Sequence, residues 1–183
     1  DYWRTARALH AAGFRGGELI HNSFSYHMTP AGSIMESGAR ALGCTVFAGG
    51  TGQTEQQLEA MADLKPEGYA GTPSFLKILL EKAEEKGLKL AAHGVQGTQC
   101  YATADLGLVA YETSAREGLV LDEGVLVEIV RPGTGDPVPD GEVGEIVVTT
   151  FNPDYPLVRF GTGDLSAVLA GTCPTGRTNT RIK

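Results

Sequence analysis

The fold of this chain is decided by residues 29–61, which read "TPAGSIMESGARALGCTVFAGGTGQTEQQLEAM". Thr29-Pro30 suits the start of a helix, because threonine can cap free backbone amides and proline fits the first helical position. Gly43 is placed to end that helix, and the β-branched and aromatic residues 45–47 predict a strand after it. The stretch therefore predicts a helix followed by a strand and a glycine-rich loop.

The same alternation of helices and strands continues on both sides of this stretch. It predicts, in chain order, a helix over residues 2–12, a strand over 19–21, a helix opened by a capping box of Thr54 and Gln57, a strand at 69–70, a helix opened by Thr72-Pro73, and a strand over 88–92. Strands that alternate with helices usually pair in parallel. We therefore expect residues 1–110 to form an α/β subdomain, a parallel sheet with flanking helices.

The remaining residues, 111–183, differ from the first part in composition and pattern. The stretches "VLVEIV" (125–130) and "GEIVVTT" (144–150) are rich in β-formers, and "RPGTGDPVPDGEVG" between them is rich in proline, glycine and aspartate. Two β-rich runs joined by such a segment predict a hairpin. We expect a small antiparallel β subdomain here.

Charge and cysteine content exclude several classes of protein. The chain has 183 residues, with 15 basic against 22 acidic side chains and a formal net charge of -7, so no basic surface is expected for nucleic acid or an anionic membrane. It shows no apolar run approaching the ~18 residues of a membrane span. Its three widely spaced cysteines form no CxxC pair, which argues against zinc and a disulfide framework and favours a reducing cytoplasm.

The stretch "CYATADLG" (100–107) offers two groups suited to a nucleotide. An aromatic ring such as that of Tyr101 can stack on a base, and a carboxylate such as that of Asp105 can hold magnesium beside phosphates. The alternative is a half-buried tyrosine and a capping aspartate.

The stretch "TGDL" (162–165) offers a short carboxylate, that of Asp164, which can accept hydrogen bonds from both hydroxyls of a ribose. The alternative is a simple turn, because glycine and aspartate are both common in turns.

The stretches "HNSFSYHMTPAG" (21–32) and "FAGGTG" (47–52) combine aromatic and small residues near helix starts. Such residues can line a pocket for a flat apolar acid, and helix N-termini favour anions. The alternative is a packed core with a glycine loop.

The loop lacks the Lys-Ser/Thr ending of a P-loop, no GxSxG element supports a hydrolase, and no GxGxxG follows the first strand as a dehydrogenase would require.

In this order, these stretches resemble the adenylate-forming acyl-CoA synthetases, in particular the phenylacetate–CoA ligase branch with its aryl-CoA ligase relatives. The resemblance covers essentially the whole chain. Its carriers are "ESGARALGCTVFAGGTGQTEQQLEAM", "GYAGTPSFL", "YATADLGLVAYE" (similar to the family's Tyr-Gly-x-Ser/Thr-Glu motif), "GLVLDEGVLVEIV", "GEVGEIVVTT", "LVRFGTGDL" and "CPTGRTNTRI".

The resemblance implies an α/β ligase body that activates an aromatic or arylacetic carboxylate with ATP and Mg2+ as an acyl-adenylate and transfers it to coenzyme A. It implies that Tyr101 stacks on adenine, Asp105 holds magnesium and Asp164 holds the ribose. The nucleotide motif is completed by Ala102, Thr103 and Ala104. By location only, the acyl pocket is assigned to Tyr26, His27 and the helix start at Pro73. The oligomeric state stays open, with a homodimer as one candidate because the family's large bodies often pair.

The chain departs from the family pattern in several places. Ala102 replaces a glycine, Ala104 replaces a serine or threonine, and Asp105 is one methylene shorter than glutamate; Thr103 is a candidate for the missing hydroxyl.

The phosphate loop is not recognised, and the hinge, the lid domain and its catalytic lysine are expected beyond Lys183. About 20–25 residues, an ordinary helix and its connections, are expected to be missing near 92–97. A non-catalytic nucleotide- or acyl-binding module, and a relative that passes the acyl group to another acceptor, stay open as alternatives.

Overall fold

The computed structural model describes residues 2–88 and 97–183, which divide into a first unit ending at Gly97 and a second unit beginning at Thr98. The boundary suggested by the sequence, at 110/111, falls inside a strand of the second unit, Gly107–Glu112. That strand pairs with Cys100–Thr103 before it and Leu119–Leu121 after it. These ladders are the physical reason why residues 100–112 belong to the second unit.

The first unit is an α/β body. Its elements are α1 (Tyr2–Ala11), β1 (Leu19–Asn22), α2 (Ala31–Leu42), β2 (Thr45–Ala48), α3 (Thr54–Leu64), β3 (Gly68–Ala70) and α4 (Pro73–Glu85). The strands form a parallel sheet in the order β2-β1-β3, with Ile20 opposite Val46 on one side and Gly68 on the other. The predicted parallel sheet with flanking helices is confirmed.

Local signals at helix ends were correct in two cases. Gly43 caps α2 with a φ of +90°, a conformation that glycine adopts without strain. The Thr72 hydroxyl accepts a hydrogen bond from the Phe75 amide at 3.4 Å, and Pro73 occupies the first helical position of α4. The strand predicted over 88–92 lies outside the described residues, apart from Leu88.

Two predicted caps are wrong. The N-cap of α2 is Pro30 rather than Thr29, and it has no side-chain cap bond. The N-cap of α3 is Gln53, also without a side-chain cap bond, so Thr54 and Gln57 form no capping box. Gln57 is instead buried, and both polar atoms of its carboxamide have hydrogen-bond partners.

Close packing of α1 against α2 depends on a glycine. A β-carbon at Gly38 would lie 2.5 Å from the side chain of Thr5, so only glycine allows the two helices to approach this closely. The same region buries Leu9, Ile20 and Ala39, which form the centre of the first unit's core. A second cluster, of Leu58, Leu79 and Ala83, lies between α3 and α4.

The second unit consists of strands, with no helix among its described residues. Its elements are β4 (Cys100–Thr103), β5 (Gly107–Glu112), β6 (Leu119–Leu121), β7 (Val125–Val130), β8 (Gly144–Thr150), β9 (Phe160–Ser166), β10 (Val168–Leu169) and β11 (Arg181–Ile182). They form two sheets, β10-β11-β6-β5-β4 and β7-β8-β9. Every pairing is antiparallel, which confirms the predicted fold class.

One apolar core serves both sheets of the second unit. Val109 and Ile182 from the five-stranded sheet meet Ile146 and Val148 from the three-stranded sheet, and Tyr101 packs against the same cluster. The two sheets of the second unit therefore pack on a common core. Among the described residues, no helix combines the length and the apolar character needed to cross a bilayer.

Candidate functional site

The segment Thr162-Gly163-Asp164 is a bulge inside β9. Glu145 pairs with Leu165 and Val147 pairs with Gly161, so the three residues between face Ile146 alone. The interpretation of this segment as a simple turn is therefore wrong. A bulge bends its strand and redirects side chains, and here it redirects that of Asp164.

Hydrogen bonds within the second unit fix the shape of this bulge. The Thr162 hydroxyl donates to the Ile146 carbonyl at 2.9 Å and accepts from the Asp164 amide at 3.2 Å. The Gly163 amide donates to a Glu145 carboxylate oxygen at 3.2 Å, and Gly163 has a φ of +77°. A β-carbon at Gly161 would lie 2.9 Å from the same oxygen. The positive φ favours glycine at 163, whereas a side chain at 161 would displace the Glu145 carboxylate that the Gly163 amide binds.

The bulge brings Asp164 to Tyr101. The Tyr101 hydroxyl donates to Asp164 Oδ2 at 2.6 Å, although 63 positions separate the two residues in the sequence. Tyr101 lies on β4, the edge of the five-stranded sheet, and Asp164 lies on β9, the edge of the three-stranded sheet. The contact therefore joins the two sheet edges, at residues that the sequence assigned independently to adenine and to ribose.

The phenol of Tyr101 is a proton donor at neutral pH. Burial raises the pKa of Tyr101 to about 12, the Asp164 carboxylate adds to the rise, and the nearby Thr162 hydroxyl opposes it. A bond of 2.6 Å from a neutral hydroxyl to a carboxylate is in the range of charge-assisted hydrogen bonds. Tyr101 is half-buried and Asp164 is exposed, so a ligand in solvent can reach the carboxylate.

Asp105 lies in the turn between β4 and β5 and is exposed, as are Ala102 and Ala104. The Thr103 hydroxyl accepts from the Leu106 amide at 3.0 Å, so it stabilises this turn. The structure gives no hydrogen bond or ion pair from the Asp105 side chain to another described residue. The turn therefore exposes the carboxylate of Asp105 to solvent, directly before the buried Leu106 that precedes β5.

A preformed metal cage is not found in residues 2–88 and 97–183, where no group of three or more His, Cys, Asp or Glu side chains could hold an ion. Magnesium does not require such a cage, because it usually keeps several waters and binds through one or two carboxylates plus the phosphates of a substrate. The single exposed carboxylate of Asp105 fits that mode of binding.

The three residues assigned to the acyl pocket differ in their surroundings. Tyr26 is half-buried: its hydroxyl accepts from Asn22 Nδ2 at 2.7 Å, and burial, followed by the Glu36 carboxylate, raises the pKa of Tyr26 to about 12. His27 and Pro73 are exposed. Within the described residues of the first unit, no hydrogen bond joins any two of these three residues. Tyr26 and Pro73 nevertheless both follow the carboxyl ends of parallel strands.

Sequence reasoning missed a buried network beneath the glycine loop at 49–52. Gln57 Nε2 donates to the carbonyls of Gly50 at 2.9 Å and Gly52 at 2.6 Å, and its Oε1 lies 2.7 Å from His21 Nε2. Because the carbonyls only accept, the amide nitrogen faces the loop and Oε1 accepts the proton of His21 Nε2. The only sequence signal was a glutamine shortly after a glycine loop, and it was attributed to helix capping.

Acid is expected to destabilise the first unit through His21. Burial lowers the pKa of His21, and the hydrogen bond with Gln57 only partly opposes it. The unfolded chain therefore binds a proton that the folded chain rejects, so stability present above histidine's ordinary pKa of about 6.5 is lost as the pH falls below it. Urea unfolding followed by Trp3 fluorescence at pH 7.5 and pH 5 measures the loss.

We expect His21→Gln to reduce this pH dependence and His10→Gln, at an exposed position, to leave it unchanged. An equal loss of stability in the wild type and both variants would contradict the assignment to His21.

The sequence of this chain is similar to those of known ligases. No family model matches it. Over 97% of its length it is 32% identical to a phenylacetate–coenzyme A ligase of Thermus thermophilus, and over 100% it is 32% identical to one of Escherichia coli and 30% identical to one of Aromatoleum evansii. The chain spans about half the length of these relatives, namely 46%, 49% and 48%.

The match to the Aromatoleum evansii ligase runs over 213 residues, whereas this chain has 183. The segment of about 20–25 residues expected to be missing near 92–97 stays a prediction, because the match does not locate the difference. Most of that region lies outside the described residues.

Solved structures with the same fold are acyl-CoA ligases and their relatives. A 2-hydroxyisobutyryl-CoA ligase, solved in complex with 2-HIB-AMP and CoA, superposes with a TM-score of 0.91 over 98% of this chain and 45% of its own, at 22% identity. A long-chain-fatty-acid-CoA ligase of Archaeoglobus fulgidus gives 0.65 over 91% of this chain and 45% of its own, at 16% identity. At these identities the likeness shows the fold, and it confirms the predicted ligase body.

Proposed function

This chain belongs to the phenylacetate–CoA ligase branch of the adenylate-forming family, and from that premise we propose that the protein activates an aromatic or arylacetic carboxylate with ATP and transfers the acyl group to coenzyme A. The observation that carries the proposal is the hydrogen bond between Tyr101 and Asp164. An aromatic ring and an exposed carboxylate side by side are the groups that an adenosine needs, one for its base and one for its ribose.

The second unit supplies the nucleotide contacts in this proposal. The half-buried ring of Tyr101 offers a face on which adenine stacks, and Asp164 accepts hydrogen bonds from the ribose hydroxyls. The bulge of β9 contributes indirectly, since it holds Asp164 where solvent and ligand reach it. Ala102, Thr103 and Ala104 form the strand and turn that carry Tyr101 and Asp105.

Asp105 would hold Mg2+ beside the phosphates. A bound magnesium ion spreads the negative charge that gathers on phosphate oxygens as the substrate carboxylate attacks and pyrophosphate leaves. The part of this chain is to place one exposed carboxylate on a short turn directly after the adenine-binding strand. No residue of this chain is assigned as the catalytic lysine.

The acid is assigned to the first unit, at the carboxyl ends of its parallel strands, where ligands of open α/β sheets bind. Tyr26 is held there by Asn22, which also donates to the Gly32 carbonyl at 3.0 Å. His27 and the start of α4 at Pro73 complete the proposed acyl site. An exposed histidine and a helix N-terminus both suit a carboxylate.

Two alternatives follow from the departures at Ala102 and Ala104. A nucleotide- or acyl-binding module without catalysis would retain Tyr101 and Asp164 but would not turn over. A relative that passes the acyl group to another acceptor would form the adenylate but no thioester. We extend the proposal to a cytoplasmic location, which the three free cysteines fit.

Pyrophosphate release separates these functions. The full-length protein is incubated with ATP, Mg2+ and either phenylacetate or benzoate, with and without coenzyme A. We expect pyrophosphate release that depends on the acid, and a CoA thioester when coenzyme A is present. Pyrophosphate without thioester favours another acceptor, and nucleotide binding without pyrophosphate favours the non-catalytic module.

A further inference from the structure

We propose that Tyr101 is a positioning residue for the ribose: its hydroxyl holds the Asp164 carboxylate in the orientation in which it meets the two ribose hydroxyls. This inference rests on the proposed function, because it concerns the same adenosine site. It adds a second role for Tyr101 that is chemically separate from stacking, since the ring does one task and the hydroxyl the other.

The hydrogen bond leaves Asp164 able to accept a ribose. A carboxylate has two oxygens and about four lone-pair directions. The Tyr101 hydroxyl uses one direction, on Oδ2, at 2.6 Å. Oδ1 and the second direction on Oδ2 stay available for the two hydroxyls of a cis-diol. The phenol therefore fixes the carboxylate without occupying the whole of it.

Asp164 needs such an anchor because its surroundings do not otherwise hold its side chain. It is exposed, it follows Gly163 in a bulge with a φ of +77°, and the bonds that shape the bulge involve its backbone amide rather than its carboxylate. Tyr101, by contrast, packs against the core cluster of the second unit. The bond thus ties an exposed carboxylate to a side chain that the core already holds.

This arrangement couples the two ends of an adenosine. Because the ring and the hydroxyl belong to one rigid side chain, the place where a base stacks and the direction of the carboxylate are set together. Removing the hydroxyl keeps the ring and frees the carboxylate. Binding affinity is then reduced only for ligands whose ribose carries hydroxyls.

The test compares ATP with 2′,3′-dideoxy-ATP, by calorimetry on the full-length wild type, Tyr101→Phe and the control Tyr155→Phe, which alters an exposed tyrosine of the same unit. We expect Tyr101→Phe to weaken ATP binding roughly threefold to tenfold, the range for ordering one flexible side chain, and to change dideoxy-ATP binding by less than about twofold. The control should match the wild type with both nucleotides. In an Asp164→Ala background, Tyr101→Phe should have no further effect on ATP.

Three outcomes overturn the inference. Equal losses for ATP and dideoxy-ATP in Tyr101→Phe would mean that the hydroxyl acts on the ring or on the fold. Unchanged ATP binding would mean that the carboxylate needs no anchor. Wild type that does not bind ATP at all would remove the proposed function and this inference with it, whereas the first two outcomes remove the inference alone.

Discussion

Asp164→Ala is expected to weaken ATP binding by about 1–3 kcal/mol, since an ordinary hydrogen bond contributes about 1 kcal/mol and one to a charged group up to about 3 kcal/mol. The carboxylate is exposed and directed by the bulge of β9, so its removal deprives the ribose of its acceptor while the hydrogen bonds of the Thr162 hydroxyl and the Gly163 amide persist. The loss corresponds to roughly fivefold to 150-fold in the dissociation constant, since 1.4 kcal/mol is tenfold. Calorimetric titration with ATP measures it directly.

A matched control removes the same charge elsewhere in the second unit. Asp140 is an exposed aspartate in the segment between β7 and β8, and Asp140→Ala changes the net charge by the same amount. We expect its ATP affinity to equal that of the wild type. If both variants lose affinity equally, the effect is one of overall charge; if Asp164→Ala loses none, Asp164 is not part of the site.

Gln57→Leu is expected to lower the free energy of unfolding of the first unit by about 2–4 kcal/mol, because leaving the buried His21 Nε2 without a partner costs about 1–3 kcal/mol and two hydrogen bonds to the glycine loop are lost as well. Leucine removes the acceptor of the His21 Nε2 proton and the donors to the Gly50 and Gly52 carbonyls. The glycine loop would then lose its attachment to the interior. Urea unfolding followed by Trp3 fluorescence gives the change.

Gln56→Leu is the control for this substitution, since Gln56 is the preceding residue on α3 and is exposed. We expect a change within about 0.5 kcal/mol, as is usual for surface substitutions. Equal stability of the two variants would show that the buried hydrogen bonds of Gln57 contribute nothing. A larger loss of stability in Gln56→Leu than in Gln57→Leu would mean that Gln56, and not Gln57, has the structural role.

The fold was predictable wherever the signal was local. Gly43 ends α2 and Thr72-Pro73 opens α4 because each conformation depends on only a few neighbouring residues. Gln57 was misassigned because its partners, His21 and the loop carbonyls, come from other elements. A pattern at the right spacing is compatible with a capping box until a buried histidine offers a better partner.

The candidate site was predictable as residue types but not as an arrangement. Tyr101 and Asp164 were chosen for their chemistry, and nothing in the sequence says that the edges of two sheets bring them within 2.6 Å. The bulge at Thr162-Gly163-Asp164 depends on the register between β8 and β9, which is set by packing across the whole hairpin. The role of Asp105 stays a proposal, because its carboxylate makes no hydrogen bond or ion pair within the part of the chain that the structure describes.

The proposed function requires one adenosine that contacts both the ring of Tyr101 and the carboxylate of Asp164. A crystal structure of the full-length protein with ATP and an aromatic acid tests this most directly. The account predicts adenine stacked on the Tyr101 ring and both ribose hydroxyls within hydrogen-bond distance of the Asp164 carboxylate. Nucleotide bound elsewhere, or a ribose turned away from Asp164, would contradict it.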